Sequence, residues 1–165
     1  MLSKNNDHII WHDSYSVGIQ IIDEQHKGLV NFTNDLFSHV TGNEEEERIY
    51  FSGIIEQALD YVKNHFVTEE VCMIATNFPG YSEHKKTHDE FTFNVIKTMN
   101  EFKTSKLLVL EKFANFLREW ILSHIAVMDK QYFVYFKKTA AIRRDGKLGS
   151  VLENALNTHQ SLLQK

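Results

Sequence analysis

The ten residues from Ser82 to Phe91, SEHKKTHDEF, carry two histidines four apart, His84 and His88. In a helix that spacing leaves the two imidazoles only about 40° apart on one face. Imidazole is the commonest side-chain metal ligand near neutral pH. An isolated pair is better explained by two solvated surface side chains, so the question is whether the rest of the chain supplies partners.

It does. His26 follows Ile22 by four and precedes Leu29 by three, His65 has Glu69 four later, and Phe91 follows His88 by three. His124 comes three after Ile121 and four after Trp120, with Asp129 five further on. Taken singly, each reads as a hydrogen-bonded core histidine. Taken together, five imidazoles and two carboxylates in one small core would be costly to bury without a shared partner. Metal between the helices relieves all of those costs at once. No thiolate belongs to the set, which excludes iron–sulfur and zinc–thiolate sites.

Seven ligands exceed the needs of one ion, so two ions are implied. If Glu69 and Asp129 both bridge, together with a solvent-derived oxygen, the ion with three histidines is coordinatively full. The ion with two is then one ligand short, and a small molecule has a place to bind end-on. Ferritin-like di-iron bundles use mainly glutamates. A histidine-rich shell with one opening is better suited to reversible ligand binding. Ile22, Val62 and Ile121 each stand one helical turn before a ligand histidine and would wall that opening with apolar groups.

The elements that must position these groups are helices. The chain has 165 residues, enough for one domain, with 42% hydrophobic and 24% charged residues. A net charge of -4 argues against nucleic-acid binding. No apolar run approaches the ~20 residues of a membrane span, and the N-terminus lacks a secretory core, so a cytoplasmic location is the expectation. The lone Cys72 reads as a buried small apolar residue. One proline and 12 phenylalanines suit long packed helices.

An irregular arm runs to about Gly18, whose freedom permits a tight entry to the first helix. Trp11 and Tyr15 are expected to fix the arm over the bundle end. Asn43 is expected to cap the second helix, with Glu46 as the returning carboxylate. The sequence NFPGY breaks that helix, and the third carries the opening pair to about Phe102. Lys103–Ser105 offers a cap for the fourth. Ser150 and Glu153 read as a capping box for a last helix with Leu152, Leu156, His159 and Leu163 on one stripe. The expected fold is all-α: an antiparallel up-and-down four-helix bundle over 19–138, an N-terminal arm over 1–18, and a loop with an extra C-terminal helix over 139–165. That last helix either caps the bundle or serves a protein partner or self-association. Between His124 and Asp129 a regular helix would turn the carboxylate away, so a single π-type turn is expected there.

Four motifs carry a family resemblance: W-x-x-x-Y-x-V-G-I-x-x-I-D-x-Q-H-K from Trp11, Y-x-x-x-H-F-x-x-E-E-x-x-M from Tyr61, Y-x-x-H-x-x-x-H-x-x-F from Tyr81, and W-x-x-x-H-I-x-x-x-D-K-x-Y from Trp120. In these the chain resembles hemerythrins, specifically single-domain bacteriohemerythrins. The resemblance implies two iron ions with a bridging oxo or hydroxo group. It assigns His84, His88 and His124 to the full iron, His26 and His65 to the open one, and Glu69 and Asp129 as bridges. It implies reversible binding of molecular oxygen for storage, delivery or buffering rather than catalysis. The alternatives are a di-iron redox enzyme acting on peroxide or nitric oxide, and an oxygen- or redox-sensing module. His8, His12, His39 and His159 fall outside the pattern and are read as non-ligands.

Overall fold

The structure is a computed structural model that describes residues 8–105, 110–139, 141 and 148–163. Helix α1 spans Gln20–Ser38, α2 Glu44–Ala75 and α3 Tyr81–Ser105. Helices α4 (Leu110–Ser123) and α5 (Asp129–Lys138) are joined through a π turn, His124–Met128, into one rod. Helix α6 spans Ser150–Leu163. Among the described residues there is no strand.

Ring contacts show the pairing direction. Phe51 meets Phe102 while Phe66 meets Phe91, so α2 and α3 are antiparallel. Phe91 packs on Trp120 and His84 on His124, so α3 and α4 are antiparallel as well. Asp35 accepts from Tyr50 Oη at 2.5 Å, and His26 lies beside His65, which sets α1 against α2. The result is the up-and-down four-helix bundle expected from the sequence.

Local chemistry explains the breaks. Gly18 has φ +70, and a Cβ there would stand 2.9 Å from the Phe133 ring, so glycine is required twice over. Asp23 then closes the entry to α1 by accepting from Ser16 Oγ at 2.6 Å and Val17 N at 2.7 Å. At the far end of α2, Asn77 takes φ 53 and Phe78 N donates back to Met73 O at 2.9 Å, a Schellman closure. That turn starts α3 in the position that brings His84 and His88 back toward Glu69.

Several local expectations need correction. Asn43 does cap α2, accepting from Glu45 N and Glu46 N, but the returning carboxylate is Glu47, which binds Thr41 N and Gly42 N. Thr104 Oγ1 donates to Asn100 O, and α3 runs on through Lys103–Ser105; residues 106–109, which lead from there into α4, lie outside the described residues. Ser150 is the first residue of α6 itself, and Glu153 N bonds Gly149 O. The arm lies along the flank of α1, not over the bundle end: Ile9 exchanges two hydrogen bonds with Asn34, and Lys27 sits over Trp11.

Two buried apolar clusters result. One fills most of the bundle length with Phe51, Ile55, Leu59, Val62, Phe113, Leu117 and Ile121. The other closes the opposite end with Val17, Ile19, Ile22, Cys72, Met73, Tyr132 and Phe136, and Leu152 and Leu156 of α6 belong to it. Helix α6 therefore docks on α2 and caps that end. The side chains of Leu162 and Leu163 lie outside the described residues.

Candidate metal centre

Polar residues separate the two apolar clusters. His26, His65, Glu69, His84, His88, His124 and Asp129 all converge there, each at most 3% exposed. The π turn is what brings Asp129 in. Asp129 N donates to His124 O, five residues back, and the extra residue rotates the carboxylate onto the histidine face.

The two carboxylates split the cluster in half. Glu69 Oε1 faces His26 Nε2 at 3.3 Å and His65 Nε2 at 3.7 Å, while its Oε2 faces His88 Nε2 at 3.2 Å and His84 Nε2 at 3.6 Å. Asp129 Oδ2 faces His26 Nε2 at 3.1 Å, while Oδ1 faces His84 and His124, both at 3.3 Å. Each carboxylate thus turns one oxygen to a two-histidine half and the other to a three-histidine half.

Hydrogen bonds on the outer side assign the tautomers. His88 Nδ1 donates to Glu70 Oε1 at 3.0 Å, and a carboxylate can only accept. His65 Nδ1 meets Gln25 Oε1 at 3.3 Å, and the Gln25 amide is held the right way round by donating to Thr68 Oγ1 at 3.2 Å. Thr87 spends its hydroxyl proton on His84 O at 2.7 Å, so it accepts from His124 Nδ1 at 3.5 Å. All three rings therefore offer an Nε2 lone pair inward.

Five of the inward atoms lack hydrogen-bond partners. His65 Nε2, His84 Nε2, Glu69 Oε2 and both oxygens of Asp129 are buried and make no hydrogen bond. His88 Nε2 and His124 Nε2 face each other at 3.0 Å on the inner side of their rings. Two nitrogens about 2.1 Å from one ion and at right angles would sit about 3 Å apart. Orphaned buried polar atoms cost about 1–3 kcal/mol each, more when charged. The donor set and spacing fit metal cations.

Protonation in the metal-free chain is correspondingly strained. Burial alone would lower the His26 pKa, but the facing carboxylates of Asp129 and Glu69 override it and raise it to about 9. Burial pushes His65 down to about 3 and His124 well below its usual value. Asp129 is raised to about 6 by burial and by the charge of Glu69. Burial would also raise Glu69, but the surrounding imidazoles hold it well below the carboxylate range. No single pH satisfies every group, whereas cations would.

The family model for the hemerythrin HHE cation binding domain matches residues 17–136. The chain belongs to the hemerythrin family. Bacteriohemerythrin of Pseudomonas aeruginosa is 31% identical over 125 residues, covering 76% of this chain and 79% of its own. Bacteriohemerythrin of Methylococcus capsulatus is 27% identical over 119 residues, covering 72% and 88%. A hemerythrin crystal structure, of an L114A mutant, superposes with a TM-score of 0.67 at 26% identity, covering 76% of this chain and 95% of that one. The hemerythrin domain thus accounts for the bundle, while α6 lies beyond the matched residues.

Sequence reasoning named the seven converging residues but missed their supports. Glu70 was given no role, yet it holds His88. Tyr132, fully buried, donates from Oη to Glu69 Oε1 at 2.7 Å. Gln25 and Thr87 were also unassigned. Each partner comes from another helix, so no spacing along the chain could reveal the pairs. His8, His12, His39 and His159 stay outside the cluster. Of the expected apolar wall, Val62 and Ile121 border a cavity of about 20 Å³ with Leu29, Phe91 and Leu117, while Ile22 packs in the opposite cluster.

Proposed function

We propose that this hemerythrin-family chain binds two iron ions, with a bridging oxo or hydroxo group, and takes up molecular oxygen reversibly for storage, delivery or buffering. His84, His88 and His124 would hold one iron, His26 and His65 the other, with Glu69 and Asp129 shared. When bound, such a pair supplies the two electrons that reversible oxygen uptake requires. The observation that carries this reading is the division of one dry cluster into a three-histidine and a two-histidine half by two carboxylates, with inward atoms left unpartnered.

The chain's own residues favour carriage over turnover. Tyr132 fixes Glu69 by donating to Oε1, and burial raises its phenol pKa well above the usual value, so it holds its proton. Val62 and Ile121 exclude water on one side, and Ile22 with α6 does so on the other. Among the described residues no helix is long and apolar enough to cross a membrane; a cytoplasmic location is part of the proposal.

The test is metal analysis followed by a visible spectrum. Protein produced with ample iron should hold about two irons per chain. Its reduced form should gain a new band under oxygen and return on degassing. Well under one iron, or stoichiometric zinc, refutes the centre. Irreversible oxidation with turnover of peroxide or nitric oxide would make it an enzyme instead.

A further inference from the structure

Four of the converging histidines differ in what their outer ring nitrogens meet. His65 Nδ1 meets a neutral amide at 3.3 Å, His124 Nδ1 a hydroxyl at 3.5 Å, and His26 Nδ1 is buried with no partner. Among the described residues, His88 alone has a carboxylate there, Glu70 Oε1 at 3.0 Å. Glu70 follows Glu69 on α2 and reaches across to α3, with a side chain only 16% exposed.

We propose that Glu70 is a positioning residue that sets the electron-donating strength of His88, so that the three-histidine half of the centre loses an electron before the two-histidine half. This rests on the di-iron reading above. A carboxylate that accepts the Nδ1 proton gives the ring partial imidazolate character and makes Nε2 a stronger donor. An amide does less, and a hydroxyl at 3.5 Å does little. The effect is electronic more than orientational, because packing already fixes the ring. Phe66 stacks on His88 at 3.8 Å with the planes 5° apart, and His84 meets it edge-on at 4.6 Å. With iron bound, the three-histidine half would then give the first electron to a one-electron acceptor, and the two-histidine half would stay reduced.

Lys85 moderates this device. Its Nζ lies 3.9 Å from Glu70 Oε2 and 2.7 Å from Asp89 Oδ1. The cation pulls density from Glu70, and its side chain is 39% exposed, so it can be replaced without opening the core. Two substitutions should therefore act with opposite signs. Glu70→Gln keeps an oxygen acceptor and removes the charge. Lys85→Met keeps the length and removes the cation.

The test uses the full chain loaded with iron, with iron content measured first. Reduced protein is titrated anaerobically with ferricyanide as the electron acceptor, through mediators, and followed by absorbance and electron paramagnetic resonance. Glu70→Gln should make the first oxidation harder, with about a tenfold higher reduced-to-oxidised ratio at the wild-type midpoint, equivalent to about 59 mV for one electron. Lys85→Met should shift it the other way by a smaller factor. Unmoved midpoints at full iron content, or shifts of the same sign, overturn the proposal. If Glu70→Gln loses iron, the sign of the Lys85→Met shift decides. A wild-type chain that takes up no iron refutes the di-iron reading instead. Cobalt(II) affinity by chelator competition then tests Glu70 in its place: weaker in Glu70→Gln and stronger in Lys85→Met supports its action on His88, and no difference overturns it.

Discussion

Metal loading must compete with a proton at His26. In the metal-free chain burial disfavours the charged ring, yet Asp129 Oδ2 at 3.1 Å and Glu69 Oε1 at 3.3 Å raise its pKa to about 9. At pH 7 that ring is protonated, and a cation can take its Nε2 only after the proton leaves. Each unit of pH lost between about 9 and 6 should therefore weaken apparent affinity about tenfold, or about 100-fold from pH 8 to pH 6. Below about 6 the slope should steepen, because Asp129, raised to about 6, begins to bind a proton as well. His65, pushed to about 3, contributes nothing in that window. The assay is anaerobic competition of iron(II) or cobalt(II) against a chromophoric chelator across pH 6–9.5, with calorimetry in two buffers to count released protons. An affinity that stays flat between pH 6.5 and 8.5 would refute the assignment of His26 as a protonated ligand. The same shift has a stability signature. A raised histidine pKa stabilises the metal-free fold fully below 6.5, and that contribution is lost as pH rises through 9. At about 1.36 kcal/mol per unit this is about 3 kcal/mol. The metal-free chain should therefore melt lower at pH 9.5 than at pH 6.5, and the loaded chain should not follow it.

Three further outcomes follow from the packing. Ile121→Asn places an amide beside the small apolar cavity; it should keep both irons but shorten the life of the oxygenated form, timed from the decay of its spectrum at equal iron content. An unchanged lifetime would mean that Ile121 does not guard the site. Gly18→Ala should cost about 1–2 kcal/mol by denaturant melt, because φ +70 disfavours a side chain and Phe133 occupies the space. Leu156→Ala should cost about 2–5 kcal/mol and speed thiol labelling of Cys72, which α6 helps to bury; an unchanged labelling rate would show that α6 does not cap that end.

The sequence by itself determined the helices, the bundle and the seven converging residues. Apolar residues at three- and four-residue spacing dictate helices, and histidines on those stripes point inward wherever the helices pack. Even the π turn was legible, since His124 and Asp129 stand five apart and a regular helix cannot bring both to one face. Spacing within a helix is local information, and one chain carries it in full. What the tertiary structure decided lies between helices. Glu70 on α2 reaches His88 on α3, Gln25 on α1 reaches His65 on α2, and Tyr132 on α5 reaches Glu69 on α2. The path of the arm along α1 and the seat of α6 on α2 were settled the same way, by Asn34 meeting Ile9 and by Leu152 and Leu156 joining Cys72 and Met73. An amphipathic stripe says that a face is buried; which surface buries it depends on shape and register across helices, and these exist only once the chain has packed.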